Sequence, residues 1–542
     1  MLALHELLFT PFSGAVFALG LAACVRAFRI FDRGVIFWDD GVRIQEVQYL
    51  TDLIKFIWNS DREHLLKKNS LKTGGLGFRG IPLFDANPMN ISLYAGVALT
   101  GVSAENSALV VNVVLGIVGI VGVYAVSISM FDPQVAALAV LFLSVSGYHL
   151  LYSRSIHAEA SCGTFYIWAT YVFYQSYTSG SLTLLAMAGV LAGMAMACNM
   201  RHIYIPVFFV VYTAVISMDV NIDQFMSRIF LLGAGMAVPF VVFDLAIESL
   251  KVLGYPGESY LEQLGSHVFR GGGPFSLKLP YLQIFLWSFW ELEGFMPLIG
   301  LVGCGLLVTD GSLRGIILAS QVMVPVLIWS ARVAPMTREG KLKPGFTHSV
   351  PRLMSSSIYA LVIAAAAMVV TLPPVMAYLI VGIIVLMGLY RAVWILRMRS
   401  GFKSAIRYMA DRGSLGHMSS CHPISSVYAE AANVGNLFPL NDKEFIEECR
   451  RRNLLYLLYV PAIHRYTFSS HRLNGVLERL LSWEKPVFTV PTGMIPFRAV
   501  YWDEHNNPES NVMRNNCIEI YDLRKYLSVD DSSVAASVVG SA

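Results

Sequence analysis

The stretch PFSGAVFALGLAACVRAFRIFDRGVIFWDDG, residues 11–41, decides how the rest of the chain is read. Its apolar run, 12–31, is long enough to cross a hydrocarbon layer of about 30 Å. It carries Arg26 and Arg29 only near its end and lacks the basic start and small-residue cleavage site of a removable signal, so it reads as a retained membrane helix. Beyond it, Trp38, Asp39, Asp40 and Gly41 stand where the span meets water. Adjacent carboxylates at such a junction cost free energy unless something uses them, which makes this the first place to look for chemistry.

Outward from that junction the same pattern repeats. Of 542 residues, 55% are hydrophobic and only 14% charged, more apolar side chain than one soluble core can hide. Further apolar runs occupy 107–130, 134–151, 161–177, 182–198, 203–218, 225–247, 294–308, 315–331, 353–370 and 375–396, about eleven spans in all. Between the first two lies a long polar segment, 32–106, too charged to cross and expected to hold short helices lying on the membrane. Parity places this segment, the turns at Arg154 and at Arg201–His202, residues 248–280 and 332–352, and the whole tail on one face. The other face has only short turns. Working surface on one side favours an enzyme acting at one membrane face over a channel or symmetric carrier.

From Ser400 the composition turns soluble. A charged helix over 443–452, a buried strand over 454–460, a helix over 473–483 and a strand over 486–490 predict a small α/β domain. No GxGxxG or P-loop opens its helices, so it reads as a recognition or structural module. The expected fold class is mainly α: a polytopic membrane helix bundle over 1–399, a soluble α/β domain over 400–530, and a disordered tail over 531–542. The net charge of +3 is too small and scattered for a nucleic-acid partner. Seven cysteines form no CxxC and no zinc spacing; four sit in apolar runs, where packing explains them.

Several clusters share the large-loop face. Asp39 and Asp40 point about 100° apart on a helix, so only one need face a cavity; the plain alternative is that Asp39 caps a surface helix beginning near Val42. The stretch YSRSIHAEA, 152–160, brings Arg154, His157 and Glu159 within one or two helical turns. Arg154 there suits bidentate phosphate binding and Glu159 suits orienting an acceptor, against a salt-bridged hairpin as the competing account. Arg201, His202 and Arg352 add positive charge where a departing phosphate would need it, whereas Lys341 and Lys343 read as a solvated loop. Gly271, Gly272 and Gly273 suit a lid or a simple hinge. Tyr281, Phe285, Trp287 and Trp290 suit a groove for an isoprenoid or sugar, or, more commonly, an interfacial aromatic belt.

In order and spacing, FWDDG after the first run, NPMNISLYAG closing the polar segment, SAENSALVVNVVLGIVGIVGVY, YSRSIHAEASCGTFYIW and HSVPRLMSSSIYAL resemble the membrane glycosyltransferases of the C structural class. Within that class the likeness is to the protein O-mannosyltransferase and lipid A aminoarabinose transferase families, over about the first four hundred residues. The resemblance implies transfer of a sugar from a polyprenyl-phosphate carrier to a protein, lipid or glycan acceptor on the exoplasmic face, with inversion. It further implies a plasma (inner) membrane location and an exoplasmic or periplasmic active site and tail. Asp39 then matches the first acid of the family's Asp-Glu pair, which implies general-base or acceptor-positioning work, with Asp40 where Glu is usual. Glu159 matches a later acid, and Arg154 and Arg352 match basic residues near the carrier phosphate. Asn87-Pro88-Met89 replaces the family's usual basic residue before a Pro pair, and Arg43 replaces an aromatic. Cation counts alone would make the large-loop face cytoplasmic; long loops weigh little in that rule, and the resemblance is preferred. No motif demands a divalent metal, and members of the class differ in using one. Competing readings are a lipid-linked sugar transporter or scaffold without catalysis, and a polymerase or ligase of surface glycans.

Overall fold

A computed structural model describes residues 10–36, 38–59, 87–202, 204–217, 221–252, 259, 261, 286, 289–331, 355–420, 427–428, 432–433, 442–459, 485–491 and 517–527. By their internal contacts they fall into two bodies. The first holds the described residues up to 31 and from 87 to 397; the second holds 32–59 and those from 398 onward. Of the first polar segment, residues 32–59 thus group with those from 398 onward, and 87–106 with the helical body.

The first body is helical. In chain order come α1 (Pro11–Ala27), then, after the short α2 (Ile30–Arg33) and the α3 helix (Trp38–Asn59) treated below, α4 (Pro88–Ala98), α5 (Ala104–Met130) and α6 (Pro133–Val145). There follow α7 (Gly147–Ser153), α8 (Glu159–Ser179), α9 (Leu182–Cys198), α10 (Tyr204–Val215) and α11 (Ile222–Val252). The set ends with α12 (Met296–Thr309), α13 (Leu313–Ala331), α14 (Ser355–Val370) and α15 (Pro374–Arg397). Capping fixes several starts: Asp132 Oδ1 accepts from Gln134 N at 2.8 Å and Val135 N at 2.9 Å, and Ser103 caps α5 through Asn106 N. Among the described helices four are long and apolar enough to cross a membrane, or five if α6 and α7, bent by 61°, count as one span. Shorter apolar helices, Leu182–Cys198, Tyr204–Val215, Met296–Thr309, Leu313–Ile328 and Ser356–Val370, occupy five of the other runs, and the run 161–177 lies within α8.

Lipid tails are as apolar as leucine, so close packing rather than exclusion from water holds such helices together. The pair α9/α11 illustrates this. A Cβ on Gly189 would lie 2.3 Å from the Leu232 carbonyl oxygen, and one on Gly193 would lie 2.4 Å from that of Met236. Only glycine lets these backbones approach so closely, and the two stand four residues apart on one helix face.

The second body contains α3 and a five-stranded sheet. Its strands, β1 (Met418–Ser420), β2 (Ala432–Asn433), β3 (Tyr456–Tyr459), β4 (Phe488–Pro491) and β5 (Cys517–Asp522), lie in the order β2-β1-β3-β5-β4. The pairings of β1 with β2 and β3 are parallel; those of β5 with β3 and β4 are antiparallel. Helix α16 (Gly401–Ala410) buries Phe402, Ala405, Ile406 and Met409, one face at helical spacing. Helices α17 (Asp442–Arg451) and α18 (Arg524–Leu527) complete the body as described. The predicted helix over 473–483 and tail over 531–542 lie outside the described residues.

Candidate active site

The turn between α7 and α8 is where buried polar side chains concentrate in the first body. Arg154, His157 and Glu159 are all buried there. The turn is hung on one residue of α5: Asn112 Nδ2 donates to the carbonyls of Ser155, at 2.5 Å, and His157, at 3.0 Å. Asn112 Oδ1 in turn accepts from Tyr94 Oη at 2.8 Å and Ser161 Oγ at 3.0 Å. Asn90 Nδ2 donates to Tyr94 Oη, 2.8 Å, and Ser161 Oγ, 2.9 Å. A buried amide fully engaged in this way rigidifies its surroundings, because each bond lost would orphan a desolvated group.

The break that feeds the turn is stabilised at both of its ends. Where α6 stops, its last carbonyls lack helical partners. Arg26 supplies them, donating from Nη1 to Ser144 O and from Nη2 to Leu143 O, each at 3.2 Å. A cation at a helix C-terminus also suits the helix dipole. At the start of α7, Glu293 Oε1 accepts from Ser146 Oγ and from Tyr148 N, both at 2.7 Å, placing a carboxyl group at a helix N-terminus. Arg154 then closes the arrangement: its Nη1 donates to Val25 O at 3.0 Å and Arg26 O at 2.6 Å, capping the end of α1. His149 Nδ1 lies 2.7 Å from Arg26 Nη2 and its Nε2 lies 3.1 Å from Tyr359 Oη. Since guanidinium only donates, Nδ1 accepts and the proton sits on Nε2.

Glu159 is the first residue of α8, a favourable place for an acid. His202 lies in a short 3-10 turn, Met200–His202, with Nδ1 2.5 Å from Tyr204 Oη. Tyr204 Oη is 2.6 Å from Ser356 Oγ on α14, so the His202 turn is bonded to the helix that the Arg352 segment precedes. Arg352 itself lies outside the described residues, as do Gly271 to Gly273, Tyr281, Phe285, Trp287, Lys341 and Lys343; of Arg201 only the backbone is described. Among the described residues no group of three His, Cys, Asp or Glu side chains could hold a metal ion.

In the second body, Asp39 and Asp40 fall in the first turn of α3, which begins at Trp38 rather than near Val42. Asp39 is therefore inside the helix and not its cap. The Asp40 side chain is buried, with Oδ1 3.9 Å from Arg43 Nη1, itself buried. The described placement of Asp39 is that of its backbone alone.

Sequence reasoning did not single out Arg26, His149, Tyr359, Asn112 or Glu293 as site residues. A signal was present for Asn112 and His149, polar side chains inside apolar runs, where such groups are expensive.

Residues 90–245, which include the turn and Asn112, match the family model of the dolichyl-phosphate-mannose-protein mannosyltransferases. Among solved structures, ArnT from Cupriavidus metallidurans in the apo state superposes with a TM-score of 0.55 at 12% identity, over 83% of this chain and 93% of that one. An oligosaccharyltransferase from Archaeoglobus fulgidus in complex with Zn and sulfate gives 0.54 at 13% identity, over 84% and 68%. The archaeal oligosaccharyltransferase AglB from the same organism, in complex with an inhibitory peptide and a dolichol-phosphate, gives 0.51 at 11% identity, over 92% and 75%. Such identities speak for the fold alone. No curated protein sequence matches the chain significantly. Residues 90–245 thus carry the sequence pattern of the dolichyl-phosphate-mannose-protein mannosyltransferase family model, within a chain whose fold is similar to those of ArnT and the archaeal oligosaccharyltransferases.

Proposed function

We propose that this enzyme takes a sugar from a polyprenyl-phosphate-linked donor and passes it, with inversion, to a protein, lipid or glycan acceptor on the exoplasmic face of the plasma (inner) membrane, its apolar helices forming about eleven spans. The observation that carries the reading is the buried polar turn 154–159, fixed by Asn112 within the stretch that matches the mannosyltransferase family. The dolichol-phosphate bound to the archaeal oligosaccharyltransferase AglB supports a polyprenyl carrier, and the acceptor peptide tethered to an oligosaccharyltransferase of the same organism supports a macromolecular acceptor.

In this reaction the acceptor heteroatom forms a bond to the anomeric carbon, while the bond from that carbon to the phosphate oxygen breaks. The electron pair leaves with the phosphate, and the acceptor's proton goes to Asp39 as general base, with Asp40 and Glu159 as supporting acids. Arg154, His157, Arg201, His202 and Arg352 supply the positive charge that a departing phosphate needs most as its charge develops. Arg154 Nη1 is engaged by the end of α1, so its phosphate contact would use other donors of the same guanidinium. Asp39→Asn is expected to lower turnover by about a hundredfold or more, while leaving the melting temperature and carrier binding unchanged. Full transfer activity in that variant would remove Asp39 from the role. Mass analysis of lipid-linked sugars and envelope glycans in cells with and without the gene would name sugar and acceptor.

A further inference from the structure

The backbone that leads into the acid pair is fastened by the C-terminal part of the second body. Val35 N donates to the hydroxyl of Tyr428 at 2.8 Å. Ser400 N donates to the Arg33 carbonyl at 2.7 Å, at the end of α2. Between them Gly34 has φ +73°, a conformation that side-chain-bearing residues rarely adopt. A Cβ there would lie 2.6 Å from Ser400 Cβ, 3.2 Å from Tyr428 Oη and 3.3 Å from Lys403 Cδ. Lys403 in turn places its ammonium 5.5 Å from the centre of the Tyr428 ring, within cation–π range. Val35 and Ile36, which follow, are buried. Two hydrogen bonds, with Ser400 and Tyr428, therefore hold residues 33 and 35, Lys403 lies over the Tyr428 ring, and α3 opens at Trp38, only three residues further on.

We infer that Tyr428 is a positioning residue for the transfer reaction: with Ser400 and Lys403 it clamps the turn at Gly34 and so sets where the first turn of α3 presents Asp39. This rests on the reading of Asp39 as general base. Asp39 lies four positions beyond Val35, a reach of at most about 14 Å. The first part of that path is tied at both its carbonyl and its amide. A general base works only when held within hydrogen-bond reach of the proton it takes, so freedom in this lead-in would appear in turnover before it appeared in donor affinity. The tail would then be part of the catalytic machinery's support and not solely a recognition module.

The experiment compares full-length wild type with Tyr428→Phe and Tyr408→Phe. Tyr408 is the control: its hydroxyl donates to Val487 O at 3.0 Å and its ring stacks on Phe488 at 4.2 Å, within the same body and without contact to residues 33–35. Turnover is read as free polyprenyl phosphate released from a panel of synthetic polyprenyl-phosphate monosaccharides, with detergent-extracted cell envelope as acceptor. Hydrogen exchange is followed by mass spectrometry over peptides spanning 32–45. Tyr428→Phe is expected to lower kcat about three- to tenfold, the equivalent of one neutral hydrogen bond, with KM for the donor unchanged. It should speed exchange over 32–45, and Tyr408→Phe should do neither. Equal losses in both variants, a change confined to KM, or unaltered exchange in Tyr428→Phe would overturn the inference. If wild type releases phosphate from no donor, the transferase reading is what has failed, and the exchange comparison alone decides whether the clamp exists.

Discussion

The turn from Arg154 to Glu159 is held by side chains of its own helical body, chiefly Asn112, some 43 to 45 positions away along the chain. The segment from Gly34 to Asp40 is held instead by Tyr428, bonded to Val35 across 393 positions. The first is a rigid feature of a packed bundle, in which each polar group has been taken out of water and must keep its partner. The second is a backbone turn secured by a few contacts within its own, sheet-containing body. A phosphate site gains from the first kind of support, because charge stabilisation depends on dipoles that do not reorganise. On the proposed reading of Asp39 as base, its backbone is fastened by contacts made within the second body alone.

Substitutions at each region would break this contrast or sharpen it. The largest effect is expected at Asn112. Asn112→Ala removes four hydrogen bonds inside the bundle, and at about 1 kcal/mol each the loss approaches ~4 kcal/mol. A clear fall in the melting temperature of the purified protein in detergent, together with loss of transfer, would follow. An unchanged melting temperature would show that the turn is not held as described. Gly34→Ala should rank next. Left-handed backbone costs a residue with a Cβ about 1–2 kcal/mol, and the Cβ would also collide with Ser400. Turnover should fall more than in Tyr428→Phe, with faster exchange over 32–45 and normal exchange over peptides covering 154–159. Faster exchange in both regions would erase the distinction between them.

The smallest effect concerns the sheet that carries the clamp. The hydrogen bonds from Arg524 hold the Asp522 carboxyl below its ordinary range. A depressed carboxylate stabilises the fold above its unfolded pKa of about 4, and that contribution is lost as pH falls through the folded value. Arg524 is exposed and Asp522 half-buried, so solvent screening keeps the increment small. Melting curves between neutral pH and pH 3 should show wild type losing this increment on acidification, while Arg524→Gln lacks it throughout. Identical pH profiles would mean the pair contributes nothing.

How much of this was legible beforehand varies residue by residue. Arg154, His157 and Glu159 could be picked out because charged and polar residues at the edge of an apolar run are costly, and the structure buries all three in one turn. Arg26 stood in plain view near the end of the first run, yet its work on the carbonyls of Leu143 and Ser144 was hidden. That task exists only because α6 breaks at Ser146, where the Ser146-Gly147 pair marks a kink site but neither its 61° angle nor the groups that satisfy the freed carbonyls. Tyr428 left no signal at all, since a lone tyrosine in a polar tail looks like any other.

By itself the amino-acid sequence determined which segments meet lipid and which meet water, and where acids and cations stand at the boundary. A fixed rise per residue and the cost of desolvating charge make those properties local. Only the tertiary structure decided which distant groups satisfy one another: Arg26 with the broken end of α6, Asn112 with the turn, Tyr428 with Val35. Such pairings have no periodicity to read, because they follow from how all the helices and strands pack at once.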